Sequence, residues 1–341
     1  MTDLKYIVKK TWIIVLLAIV CNSFSGCKGQ TQFGTNLLHL EKTIPLPGVK
    51  GRIDHLDIDL KEQVLYVAAL GNNTVEVVNL LNGKVVHSIT DLDEPQGVCY
   101  IPQTHEIFVA NGGSGDCYFY NAATFEKRAT IHLASDADDV RYDSAERKIY
   151  VGYGTGGIAV INADTHLQIG DVKLPGHPES FQLDKDLNRL FVNVPDAHMI
   201  AVIDLTQLKL INKWVRNSPT ANFPMAIDTS RHQVFIGYRH PSKLMILDGK
   251  TGQEINTSNM IGDADDLYYY NNKTEIFVSG GDGAIGIYQQ DNTTAYKQVA
   301  NISTSSGART SLLCAELKLF ILAARASSGN PAEILLYKIS E

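Results

Sequence analysis

The stretch VLYVAALGNNTVEVVNLLNGKVV, residues 64–86, alternates branched or aromatic apolar residues with small and polar ones. It is interrupted by Gly71-Asn72-Asn73 and again by Asn82-Gly83. Alternation with a period of two, broken by Gly and Asn, is the signature of short strands joined by tight turns. Its opening block, VLYVAA, returns as EIFVAN, KIYVGY, RLFVNV, QVFIGY, EIFVSG and KLFILA. The aromatic anchors of these blocks are Tyr66, Phe108, Tyr150, Phe191, Phe235, Phe277 and Phe320, spaced by 42, 42, 41, 44, 42 and 43 residues. An interval held six times marks a tandem repeat, and four strands in 40–45 residues is the period of a propeller blade. No segment after the amino-terminal region has the three-and-four apolar spacing of a helix.

The sequence therefore predicts an all-β fold, a seven-bladed β-propeller with four-stranded blades. The blades fall at about 52–93, 94–135, 136–176, 177–220, 221–262, 263–305 and 306–341. The last unit ends after EILLYKIS, one strand short, while LLHLEKTIPLP (residues 37–47) precedes the first unit with nothing else to pair with. Residues 37–51 are expected to complete blade seven, which closes the ring and covers an open edge.

Residues 64–86 closely resemble the YVTN-type β-propeller repeat, with its aromatic-Val, Gly-Asn, alternating Val and Gly-containing turn. The resemblance runs through all seven units, although Val78-Asn79 stands where Ile-Asp is usual, as in Ile203-Asp204. It implies a seven-bladed propeller, commonly secreted or periplasmic, and no single activity.

The amino end has its own logic. Lys5, Lys9 and Lys10 precede a short apolar run from Trp12 to Val20, the layout of a secretory signal rather than a membrane span. Phe24-Ser25-Gly26-Cys27 resembles a bacterial lipobox. Residues 1–26 are thus expected to be a signal peptide, Cys27 the lipidated residue and residues 27–36 a tether. The same features predict export and anchoring at the outer membrane, on its periplasmic side. An incidental Cys27 behind an ordinary secretory signal is the alternative. Without residues 1–26, 27 basic and 36 acidic side chains remain, and no basic cluster offers a nucleic-acid surface. No cysteine pair has metal-ligand or haem-attachment spacing.

Within the repeat, DADDV at 136–140 recurs as DADDL at 263–267, three blade intervals away. Both lie 11–14 residues before an anchor, where the chain reaches the innermost strand at the channel mouth. Eleven residues before the anchors stand His55, Gly97, Asp139, Ser180, Pro224, Asp266 and Arg309; twelve before stand Asp54, Gln96, Asp138, Glu179, Phe223, Asp265 and Ala308. Candidate ligand-binding residues are therefore Arg52, Asp54, His55, Asp138, Asp139, Glu179, Arg239, Asp265, Asp266 and Arg309. The six carboxylates are also candidate ligands for a divalent cation such as Ca²⁺ or Mg²⁺, which would relieve their mutual repulsion. A second reading has these acids capping their own loops, with Arg309 paired to Asp266 or Asp54. His55, beside Asp54, is a candidate general base. His177 and His240, each before a proline, read equally well as loop punctuation. The expected function is a monomeric lipid-anchored module that binds a small molecule or a protein partner at this mouth. A metal-assisted lyase or lactone hydrolase at the same mouth is the alternative.

Overall fold

A computed structural model describes residues 37–291 and 294–340. The signal segment, Cys27 and the tether lie outside the described residues. The described chain forms seven four-stranded antiparallel sheets; six keep their strands in sequence order from the inside outward, and the seventh takes its outermost strand from the amino end. Blade one, for example, consists of Leu56–Asp59, Val64–Ala69, Thr74–Asn79 and Lys84–Ile89. In blade seven the strands Thr310–Cys314, Leu319–Ala324 and Glu333–Ile339 are completed by Leu38–Pro45 from the amino end. Leu38 pairs with Ile339 and Ile44 with Ile334, so the ring is closed as the sequence predicts.

The apolar blocks become the second strands because this position is covered on both faces. In blade two every residue of Glu106–Asn111 is buried. All seven aromatic anchors are at most 2% exposed. Seven apolar clusters each bridge two neighbouring blades; one joins Phe277 of blade six to Phe320 and Leu335 of blade seven. The fold is thus held by a ring of interfaces between sheets rather than by one central core, the arrangement of a repeat architecture. The outermost strands are largely turned to solvent, as in Lys84–Ile89, where only Ile89 is buried. A register shift recurs between third and fourth strands, at Val77/Val78, Phe119/Tyr120, Val160/Ile161, Val202/Ile203, Ile246/Leu247 and Ile287/Tyr288. Such bulges raise local twist, which sheets splayed around an axis need.

Turn chemistry accounts for a second family of acids. Asp59, Asp143, Asp184 and Asp228 accept backbone N–H bonds two or three residues ahead, in the turn between first and second strands. They fix the ends of the inner hairpins on the face opposite the candidate site.

Candidate functional site

The mouth residues are held by an extension of the sheet ladder. The N–H of Asp54 bonds the Ala68 carbonyl, Asp138 bonds Gly152, and Glu179 bonds Asn193, each at 2.7–2.9 Å. The return bonds run from Ala68 to His55, Gly152 to Asp139 and Asn193 to Ser180. One repeated backbone pattern therefore delivers different side chains from blades one, three and four to the same level. Glycine at position 97 matters here. A Cβ on Gly97 would lie 2.1 Å from the Asp138 carbonyl oxygen, so its absence lets the acidic segment of blade three come close. The two DADD copies differ in one respect. In blade three they precede the strand Val140–Asp143, whereas in blade six Ala264–Tyr270 absorbs them into the strand with a bulge between Ala264 and Asp266.

Nine of the ten candidates, all but Asp266, line one cavity of about 250 Å³ at the channel mouth. Asp266 instead lines a larger cavity of about 610 Å³ farther along the channel, and His55 and Asp139 line both. The mouth has two chemically distinct sides. Blades five, seven and one supply Arg239, Arg309 and Arg52. Asp265 pairs with Arg239 and, at 2.7 Å, with Arg309; Asp263 lies 3.1 Å from Arg309, and Arg52 is 3.0 Å from Asp54. Arg309 thus pairs with Asp263 and Asp265 rather than with Asp266 or Asp54. The Arg239 guanidinium also lies 3.8 Å from the Phe223 ring centroid, which leaves it little freedom.

The opposite side is built on Asp138. His55 Nε2 stands 3.6 Å from Asp138 Oδ1, 3.9 Å from Asp139 Oδ1 and 4.0 Å from Asp54 Oδ1. His177 Nε2 stands 3.8 Å from Asp138 Oδ2, while its Nδ1 donates to the Gly154 carbonyl at 2.6 Å. Asp138 Oδ1 is buried and has no hydrogen-bond partner. A buried unpartnered carboxylate oxygen is costly, which makes it a place to look for a missing partner. One ligand atom each from Asp54, His55 and Asp138 lie within 4.8 Å of one another.

The electrostatics follow from this crowding. Burial, then the neighbouring Asp138 and Asp265, push the Asp54 carboxyl up to about 7 against the pull of His55. Burial and Asp138 raise Glu179 to about 8. Burial opposes the charge on His55, but Asp138, Asp139 and Asp54 outweigh it and hold its pKa well above 6.5. Burial likewise opposes charge on His177, yet Asp138 and the Gly154 carbonyl raise it to about 9. Asp138 is buried too, but its two imidazole neighbours hold it below the usual carboxylate range. Protons on these groups thus offset the crowding of negative charge on this side of the mouth.

His177 reads equally well as a residue of this face and as punctuation before Pro178; in the structure it lines the mouth beside Asp138, across from His55. The signal was its register, since His177 stands fourteen residues before its anchor, the place of Asp136 and Asp263.

No protein-family model matches the chain, and no curated protein does. Among solved structures, a chain of "Crystal Structure of Mitotic Checkpoint Complex" superimposes with a TM-score of 0.75 and 15% sequence identity, covering 100% of both chains. At that identity the likeness establishes the propeller fold and nothing finer, and a propeller is a common platform for binding partners.

Proposed function

We propose that this propeller is a binding module whose channel mouth holds a divalent cation between Asp54, His55 and Asp138, flanked by His177 and Glu179. The observation that carries the reading is Asp138, a carboxylate set between two imidazole Nε2 atoms with one buried oxygen left unpartnered. The Nδ1–H of His177 bonded to a backbone carbonyl is the outer-shell contact that orients a metal-binding imidazole. Carboxylates alone suggest Ca²⁺, Mg²⁺ or Mn²⁺, but two imidazoles beside them favour a softer ion such as Zn²⁺. Arg52, half exposed beside Asp54, is placed to take an anionic group of a ligand that approaches the ion.

The test is calorimetric titration of chelator-stripped protein with Zn²⁺, Mn²⁺, Ca²⁺ and Mg²⁺. One of the four is expected to bind at one site per chain, and Asp138→Asn to weaken it by about a hundredfold. If none of them binds, or Asp138→Asn binds as well as the parent, the reading fails.

We further propose that the chain is an exported lipoprotein of the YVTN-type propellers. Support comes from the basic start, the apolar run and Phe24-Ser25-Gly26-Cys27, together with the seven recurring units.

A further inference from the structure

We infer that the deeper cavity of the channel is a second binding site, one that takes a primary arylalkylamine with its ammonium inward and its ring toward the opposite mouth. The cavity measures about 610 Å³, within the range of small-molecule sites, and is reached from the face opposite the arginines. Its inner end is acidic, with Asp57, Asp139 and Asp266 contributing. Asp139 is 2% exposed, and its Oδ2 is buried without a hydrogen-bond partner. The carboxylate of Asp57 accepts one bond, from the Tyr100 N–H at 2.6 Å, and Asp266 one, from the Ser311 N–H at 2.6 Å.

The cations nearby are already committed, and Lys61 at the rim pairs with Glu62 at 3.1 Å. Arg141 spends its guanidinium on Asp139 Oδ1, the Val140 carbonyl at 2.8 Å and Ser180 Oγ at 3.3 Å. His55 directs Nε2 at the mouth acids Asp54, Asp138 and Asp139. Three carboxylates against one engaged arginine leave unused acceptor capacity, and an ammonium brings three donors and one positive charge. Toward the opening the lining becomes largely apolar and aromatic, with Leu312, Tyr142, Pro102 and the exposed Leu60, beside Lys61. An anion would meet the acids, and a sugar would leave the apolar rim unused. An amine with a ring on a short tether satisfies both ends. This site rests on its own residues and not on the cation proposed for the mouth.

The test uses tryptamine, with its alcohol counterpart indole-3-ethanol, titrated calorimetrically into the purified protein with chelator present. Chelator makes the result independent of the mouth cation. Tryptamine is expected to bind at one site, with the alcohol at least about tenfold weaker, because a charge-assisted bond to a buried carboxylate is lost. Asp57→Asn, which keeps an oxygen for the Tyr100 N–H, should weaken tryptamine by about tenfold or more. Leu60→Arg, at an exposed rim position that does not threaten folding, should weaken it as well by adding a like charge at the entrance. No binding at millimolar tryptamine, equal binding of the alcohol, or indifference to both substitutions would overturn the inference.

Discussion

Ile44→Ala asks whether the ring is closed by the amino-terminal strand and how much that closure is worth. Leu38–Pro45 makes seven register pairs with Glu333–Ile339, and the Leu46 N–H continues the ladder to the Ala332 carbonyl at 2.8 Å. Ile44 and Leu46 are fully buried, in the cluster that joins blade seven to Leu56, Val67 and Val78 of blade one. Truncating a fully buried isoleucine costs about 3 kcal/mol, the transfer of its methyl groups plus the cavity left behind. Unfolding entropy of about 2.1 cal/mol/K per residue over roughly 300 residues converts this into a fall of about 5 °C in midpoint. Leu40, on the same strand, is 54% exposed and serves as the control. Leu40→Ala should move stability by no more than about 0.5 kcal/mol. Thermal and urea unfolding followed by circular dichroism measure both. The closure also bears on the site, because Thr310 Oγ1 donates to the Ile53 carbonyl across the same seam, next to Arg309 on one side and Asp54 on the other. If Ile44→Ala and Leu40→Ala unfold together, the strand does not close the ring, and the seam on which the arginine side depends must be held otherwise.

Other outcomes can be checked more briefly. Burial and Asp265 raise the Asp266 carboxyl to about 7, against the pull of His55. A carboxyl that holds its proton more tightly when folded contributes stability below the unfolded value, and that contribution is lost as pH rises through about 7. Urea midpoints of the parent should therefore fall more steeply between pH 4 and 7 than those of Asp266→Asn; parallel curves would contradict the burial argument. Gly97→Ala forces its new methyl against the Asp138 carbonyl, so cation affinity should drop by about tenfold or more while the far-ultraviolet spectrum stays that of the parent. Unchanged affinity would mean that the blade-three segment is free to shift. Cys27→Ala should abolish labelling of the expressed full-length chain by radioactive palmitate, and persistent label would place the lipid elsewhere or refute the anchor.

The repeat was legible because its cause is the same in every blade. A second strand sandwiched between two neighbouring sheets has no polar face to offer. The block around Tyr66 therefore had to be written again at Phe108, Tyr150, Phe191, Phe235, Phe277 and Phe320. The mouth was legible only in part. Positions eleven and twelve before each anchor led to Asp54, His55, Asp138, Asp139, Glu179, Asp265 and Arg309, but treated as one ring they hid a division of labour. Asp265 is occupied with Arg239 and Arg309, whereas Asp138 faces two imidazoles, and no local pattern distinguishes one Asp of a DADD copy from the other.

What stayed hidden has a geometric reason. Side chains along a strand alternate faces, so if position minus eleven looks into the channel, position minus nine does too. Reading that next layer gives Asp57, Cys99, Arg141, Gln182, Ala226, Tyr268 and Ser311. Five of these, Asp57, Cys99, Arg141, Gln182 and Tyr268, line the deeper cavity. No two blades carry the same residue at that position, although the same blades repeat their anchors almost without change. Packing between blades demands sameness, because each interface must bury the same surface. The channel makes no such demand: a residue there meets the next blade through its own contact, as Asp57 does with the Tyr100 N–H and Tyr268 with the Ser311 carbonyl, and is free to differ. In a ring of repeats, the positions where the units disagree are therefore the ones that can be spent on recognition. On this chain they are stacked in two layers, with His55 and Asp139 as the boundary both cavities share.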